Sequence, residues 1–216
     1  MEQEEKENLI QRYVDRFRKY GALPQTLGWN KGRQKIRFQV LTDIAFMKND
    51  SVLDVGCGFA DLYDFLRQKG WEGHYTGVDI VPVLVETAKR KHPTLDIKIF
   101  DILQDPQQKR FDYVMASGIF NMKFKSTDNL KFIDRMLRKM FALSRRGVAC
   151  NFMSDYVDWK SEEGFYVKPE VVFAMAKRLS RRVALRHDYM PFEFAVYLFK
   201  NDESGKNHVF QDFGTY

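Results

Sequence analysis

Apolar and polar positions change rhythm several times along this chain. SVLDV (51–55), HYTGVDI (74–80), DIKIF (96–100), FDYVMAS (111–117) and GVACNFM (147–153) are short runs rich in Val, Ile, Phe and Tyr, which predict strands. Between them the spacing lengthens to that of amphipathic helices, near 60–69, 82–91 and 128–143, with Pro82 suited to a first helical turn. Strands alternating with helices imply right-handed crossovers and a mainly parallel sheet covered on both faces. The end of the chain breaks this alternation. A helix near 169–179, opened by Pro169 and Glu170, leads to strands at 181–187 and 193–200. Only a short turn at Pro191 separates those two strands, so they must pair antiparallel. The expected fold is therefore α/β: a seven-stranded, mainly parallel sheet with its last strand antiparallel and helices on both faces. Ahead of it, residues 3–20 and 32–48 predict two helices joined by a loop containing Gly21, Pro24, Gly28 and Gly32.

Composition narrows the class without naming a function. A chain of 216 residues that is 44% hydrophobic can bury a sizeable core, and the length suits one domain. No apolar run approaches the roughly 20 residues that a bilayer requires, and the N-terminus is too charged for a signal peptide, so a cytoplasmic protein with no membrane role is expected. Cys57 and Cys150 lie in or beside apolar runs without CxxC or His-rich neighbours, which suggests buried thiols and no metal. The formal charge of +6 is mild and its cations are scattered. Arg135, Arg138 and Lys139 read as the wet face of a helix, and Lys177, Arg178, Arg181 and Arg182 cluster where cations complement a helix end.

The chemistry begins at VLDVGCGFADL, residues 52–62. A strand running into Gly56-x-Gly58 and then a helix places a turn without bulky side chains beneath a cofactor. A dinucleotide fingerprint would need a small residue where this chain has Asp61, and a carboxylate facing a pyrophosphate is unfavourable. A P-loop is likewise missing from the sequence.

What remains, Asp54-x-Gly56-x-Gly58-x-Ala60, resembles the first motif of the class I, Rossmann-like S-adenosylmethionine-dependent methyltransferases, with Ala60 in place of the commoner third glycine. That cofactor carries an ammonium and a sulfonium, so an acidic turn suits it. The resemblance implies cofactor contacts at Asp54, Gly56, Cys57 and Gly58. It further implies a ribose-binding carboxylate at Asp79 beside Ile80, an adenine contact at Asp101 beside Ile102, and a methyl-facing wall beginning at Ser117 and Gly118. It covers residues 50–155 by motif and extends to 200 by strand order. The segment LGWNKGRQKIRF is similar to the N-terminal Gly-Trp segment of compact bacterial methyltransferases.

Methyl transfer is an in-line displacement at an activated carbon, so alignment matters more than a strong base. Asn121 is the candidate to orient the acceptor, with Phe120 beside it. Tyr156 after the fifth strand and His187 after the sixth are further catalytic candidates, His187 because its ordinary pKa lies near neutrality. Tyr189 and Phe120 are candidates for the substrate site, and Trp159 and Tyr166 are candidate pocket walls. Arg33 and Arg37, four residues apart on one helix, could clamp the methionyl carboxylate or an acidic group of the acceptor, with Tyr13 and Trp29 closing over it. Residues 1–48 are thus expected to form a helical lid, 49–201 the methyltransferase domain and 202–216 a tail.

The expected acceptor is a small molecule, methylated at N, O or S, and the protein a monomer or homodimer. The chain has SGIFNMK where the nucleic-acid amino methyltransferases carry an (N/D/S)PP(Y/F) motif, which disfavours a nucleobase. A tRNA or rRNA methyltransferase and a non-catalytic cofactor-binding scaffold are the alternatives.

Overall fold

A computed structural model describes residues 1–28, 33–44, 48–104 and 109–201. Among these residues seven strands form one sheet: β1 (Val52–Val55), β2 (Tyr75–Asp79), β3 (Asp96–Ile99), β4 (Phe111–Ala116), β5 (Ser144–Met153), β6 (Val183–Met190) and β7 (Glu193–Phe199). Six helices accompany them: α1 (Gln3–Tyr20), α2 (Gln34–Thr42), α3 (Asp61–Gln68), α4 (Pro82–Lys91), α5 (Asn129–Leu143) and α6 (Pro169–Lys177). The order across the sheet is β3-β2-β1-β4-β5-β7-β6. β7 runs antiparallel to both β5 and β6, and the other pairings are parallel. The chain leaves β1 towards β2 on one side and later returns to β4 on the other. The carboxyl ends of β1 and β4 therefore flank the topological switch point, where open α/β sheets bind ligands.

Alternation along the strands decides which face each side chain covers. Leu53, Val114, Val148, Phe152 and Phe194 pack on one face with Ile133, Met140 and Val172 from α5 and α6. Val52, Met115, Ala149 and Tyr197 pack on the other with Phe38, Leu41, Phe65 and Val85 from α2, α3 and α4. Burial on both faces explains why the central strands read as nearly continuous apolar runs. α1 belongs to neither layer. Its Ile10, Tyr13 and Phe17 rest on Phe59, Val81 and Leu84, across the carboxyl ends of β1 and β2.

Three boundaries differ from expectation. α2 stops at Thr42 instead of running to 48, with residues 45–47 outside the described chain. β5 begins three residues early, at Ser144, directly after α5. β6 runs from Val183 to Met190, beyond the expected end at 187, with an irregular register between Arg186 and Met190. That extension places His187 inside the strand instead of at its end. The loop between the first two helices contains a 3-10 turn at Pro24–Leu27, closed by Gly28 in the left-handed region at φ 88°.

Candidate active site

The glycine turn after β1 is built on positive φ angles: 74° at Gly56, 53° at Gly58 and 60° at Ala60. A side chain is tolerated poorly there, so Ala60 carries a strain of about 1 kcal/mol that glycine would avoid. Gly56 cannot be replaced so easily, because a Cβ on it would lie 2.3 Å from Cγ2 of Ile119, in the loop after β4. The two loops that frame the switch point therefore meet at a glycine.

The backbone donors of this turn are already spent. Gly56 N and Cys57 N both donate to the Val78 carbonyl, at 2.8 and 3.1 Å. Gly58 N donates to Oδ2 of Asp79 at 3.0 Å, while Oδ1 of Asp79 accepts from Val81 N at 2.9 Å. Asp54 accepts from the Tyr75 hydroxyl at 2.7 Å. Burial pushes the Asp54 carboxyl up to about 7, with Asp79 and Asp61 adding to the rise and the Tyr75 hydrogen bond opposing it. Asp79 is raised by burial too, against the pull of its backbone donors. A turn with no donor to spare at 56–58 and two buried carboxylates repels phosphate and favours a cation.

These residues line a cavity of about 910 Å³, which lies at the carboxyl edge of the sheet under α1. Ile80, Val81, Leu84, Phe100 and Ile102 give it an apolar wall, and Leu9, Arg12, Tyr13 and Arg16 of α1 cover it. Asp101 lies at its side, accepting from Leu103 N at 3.0 Å and ion-paired with Lys6 of α1 at 2.9 Å. Opposite, Ser117, Gly118 and Asn121 line the cavity with Met153, Tyr156 and Trp159. Oδ1 of Asn121 is buried without a hydrogen-bond partner among the described residues. Buried polar atoms of that kind are rare in folded proteins, and this one sits in the wall of a ligand-sized cavity.

The expected site residues separate into two groups. Asp54, Gly56, Cys57, Gly58, Asp79, Ile80, Asp101, Ile102, Ser117, Gly118, Asn121, Tyr13, Arg33, Arg37 and Tyr156 converge on the cavity. Three others need correction. His187 hydrogen-bonds the Pro191 carbonyl at 3.3 Å and packs its ring on Phe194, on the α5–α6 face of the sheet. Phe120 is a core residue, stacked on Phe152 at 4.6 Å. Tyr189 turns its hydroxyl to Glu193 at 3.1 Å and packs beside the α2–α4 core, away from the cavity lining. Trp29 and Lys31 lie outside the described residues. Arg37 is buried and ion-paired with Glu193 at 2.6 Å, whereas Arg33 is exposed and lies over the Phe192 ring at 5.4 Å. Tyr156 hydrogen-bonds Glu170 through its hydroxyl. Glu193 also lines the cavity, and sequence reading missed it. It stands first in a strand whose apolar run drew attention away from it.

A relative shows what family this cavity belongs to. The chain is 35% identical over 151 residues to the Mycobacterium tuberculosis (strain ATCC 25618 / H37Rv) protein named "Putative methyltransferase Rv1506c", covering 68% of this chain and 90% of that one. A family described as "Methyltransferase domain" matches residues 52–141. The chain belongs to the methyltransferase family. Its fold is that of the class I, S-adenosylmethionine-dependent branch. Magnesium protoporphyrin IX methyltransferase (ChlM) from Synechocystis PCC 6803, solved with bound S-adenosylhomocysteine, superposes with a TM-score of 0.67 at 15% identity, over 91% of this methyltransferase and 100% of that chain. A TehB-like S-adenosylmethionine-dependent methyltransferase from Corynebacterium glutamicum ATCC 13032 Kitasato gives 0.58 at 18% identity, over 89% and 99%. Among the described residues, no helix of this methyltransferase is long and apolar enough to cross a membrane.

Proposed function

We propose that this methyltransferase transfers a methyl group from S-adenosylmethionine to N, O or S of a small acceptor with a flat apolar body and an anionic group. The observation that carries the cofactor part is the turn at 56–58, whose backbone donors are spent and whose neighbours Asp54 and Asp79 are buried carboxylates. S-adenosylmethionine supplies, when bound, a methyl carbon already activated by the adjoining sulfonium. Asp54 would hold its ammonium, and Asp79 its ribose hydroxyls with the lone pairs left over from Gly58 and Val81. Ile80, Leu84 and Ile102 would cover the adenine.

Asp101 is a weaker candidate for an adenine contact, because Lys6 and Leu103 N already engage it. Ser117, Gly118 and Asn121 would face the methyl, where an amide can orient a nucleophile but cannot take its proton. Alignment and exclusion of water then carry the rate. α1 and the segment that follows it would act as the lid.

The acceptor part rests on the cavity mouth. Trp159 and Tyr156 are 74% and 57% exposed, although large aromatic side chains gain by burial. Both line the cavity, as do Phe192 and the Arg33 guanidinium above it. The volume, about 910 Å³, reaches the upper end of the roughly 300–1,000 Å³ usual for one small ligand, which leaves room for a second beside the cofactor.

Transfer of a labelled methyl from S-adenosylmethionine tests this reading, with aromatic acids, neutral aromatics, aliphatic acids and bulk tRNA as acceptors. Label on the aromatic acids, little changed by salt, is the expected result. Label on tRNA that falls steeply with salt would replace the small-molecule reading with the RNA one. Cofactor binding with no transfer to any acceptor would favour a scaffold.

A further inference from the structure

Glu193 is 1% exposed, and both oxygens of its carboxylate accept hydrogen bonds. Oε2 takes Nε and Nη2 of Arg37, from α2, at 2.7 and 2.6 Å. Oε1 takes Nδ2 of Asn151, from β5, at 2.9 Å and the Tyr189 hydroxyl at 3.1 Å. Asn151, also 1% exposed, spends its other amide atom on the loop after β4: Oδ1 accepts Gly118 N at 2.8 Å. The orientation of that amide is not arbitrary. An ionised carboxylate can only accept, so Nδ2 must face Glu193 and Oδ1 is left for Gly118.

We infer that Glu193 is a positioning residue. Acting through Asn151, it fixes the Ser117–Asn121 loop against the cavity, and Arg37 ties that loop to the N-terminal segment. The inference rests on the methyltransferase reading of the same cavity.

The chain of acceptors is directional. Gly118 holds φ 78°, a conformation that glycine adopts without strain, but its amide still needs an acceptor inside the fold. The same loop carries Ile119 against Gly56 and presents Asn121 to the cavity. A shift of Asn151 would therefore reach both the glycine turn and the wall facing the methyl. A buried ion pair rarely improves on apolar packing for stability alone, and its best-attested use is to specify one arrangement. Here the arrangement specified is the orientation of one amide.

The test exchanges acceptor and donor along the relay. In Glu193→Gln the new amide presents N–H to Asn151, which must turn Oδ1 towards it and offer Nδ2 to the Gly118 N–H, donor against donor. Asn151→Asp in the same chain restores the pattern, because a carboxylate at that position can accept from both neighbours. Affinity for S-adenosylhomocysteine by calorimetry and deuterium exchange of the 117–121 amides are the readouts, with melting temperature recorded separately.

Glu193→Gln should bind about tenfold more weakly and exchange faster at 117–121, and the double variant should recover both. Wild-type affinity and exchange in Glu193→Gln would overturn the inference. So would a double variant that regains melting temperature without regaining affinity. Should Glu193→Gln not fold, Arg37→Lys is read by exchange alone: faster exchange at 117–121 with β1 unchanged supports the relay, and unchanged exchange overturns it. Failure of the wild-type protein to bind S-adenosylhomocysteine would instead overturn the cofactor reading, and the exchange data would still judge the relay.

Discussion

The carboxylate of Asp79, at the end of β2, accepts the backbone N–H of Gly58 at 3.0 Å and so holds the turn that follows β1. Its second oxygen holds Val81 N at the mouth of α4. One side chain therefore ties the turn after β1 to the start of α4.

Asp79→Ala should consequently cost stability as well as affinity. Two buried N–H groups lose their acceptor, at about 1–3 kcal/mol each, and loss of the cofactor hydrogen bonds should weaken S-adenosylhomocysteine binding by about 1.5–3 kcal/mol. Denaturant melts and calorimetry on the folded fraction separate the two effects. A variant that melts like wild type would show that the turn does not depend on Asp79, and one that binds like wild type would remove its ribose role.

Asp54 gives the site a pH signature with two opposite signs. Its folded pKa, about 7, lies above the ordinary 3.8 of an unfolded Asp, mainly because of burial. Between those values the folded protein binds more protons than the unfolded chain. Stability from this group is present at low pH and is lost as pH rises to about 7. A bound ammonium favours the ionised carboxylate, so cofactor affinity should rise over the upper part of the same window. Asp54→Asn should flatten both trends, which melting curves and titrations from pH 5 to 8 would reveal. Unaltered pH profiles in that variant would assign them to other groups.

Gly56→Ala places a methyl group against Ile119 and forces alanine to φ 74°. The steric part should be relieved by adding Ile119→Ala, whereas the backbone part, about 1–2 kcal/mol, should persist. Cofactor affinity in the single and double variants checks this. Full recovery in the double variant would mean that the backbone angle is unimportant, and no recovery would mean that the two loops do not press on each other.

Much of this architecture could be read from the chain. Residues 52–62 announce a strand, a side-chain-poor turn and a helix within a few positions, and the carboxylates at 79 and 101 follow successive strands at the same edge. Such signals are local, so sequence carries them. Arg37 and Glu193 are 156 positions apart, and nothing near either residue marks the pairing. His187 was misleading for a related reason. β6 continues past it to Met190 with an irregular register against β7, and the imidazole packs on Phe194 instead of lining the cavity. Phe120 sits beside Asn121 in sequence, yet stacking on Phe152 draws it into the core.

The anchoring of α1 yields a further prediction. Glu5 is buried and accepts from Lys125 N, Ser126 N and the Ser126 hydroxyl, and Arg12 pairs with Glu163 across the cavity. Burial works against the Glu5 carboxylate, but its backbone donors outweigh it and hold the group below the usual range. Its contribution is therefore present at neutral pH and lost on acidification. Glu5→Ala should cost about 2 kcal/mol through the orphaned amides, speed proteolysis within residues 1–28, and weaken cofactor retention while the sheet stays folded. Cleavage at wild-type rates with full retention would make α1 a fixed part of the fold instead of a lid.

Thermal unfolding of the full chain with S-adenosylhomocysteine and, separately, with NAD tests the central claim most directly. A ligand that binds only the folded state must raise the melting temperature in proportion to its saturation. S-adenosylhomocysteine should raise it in a concentration-dependent way and NAD should leave it unchanged, because the turn at 56–58 has no free donors for a pyrophosphate. A rise with NAD and none with S-adenosylhomocysteine would contradict the account.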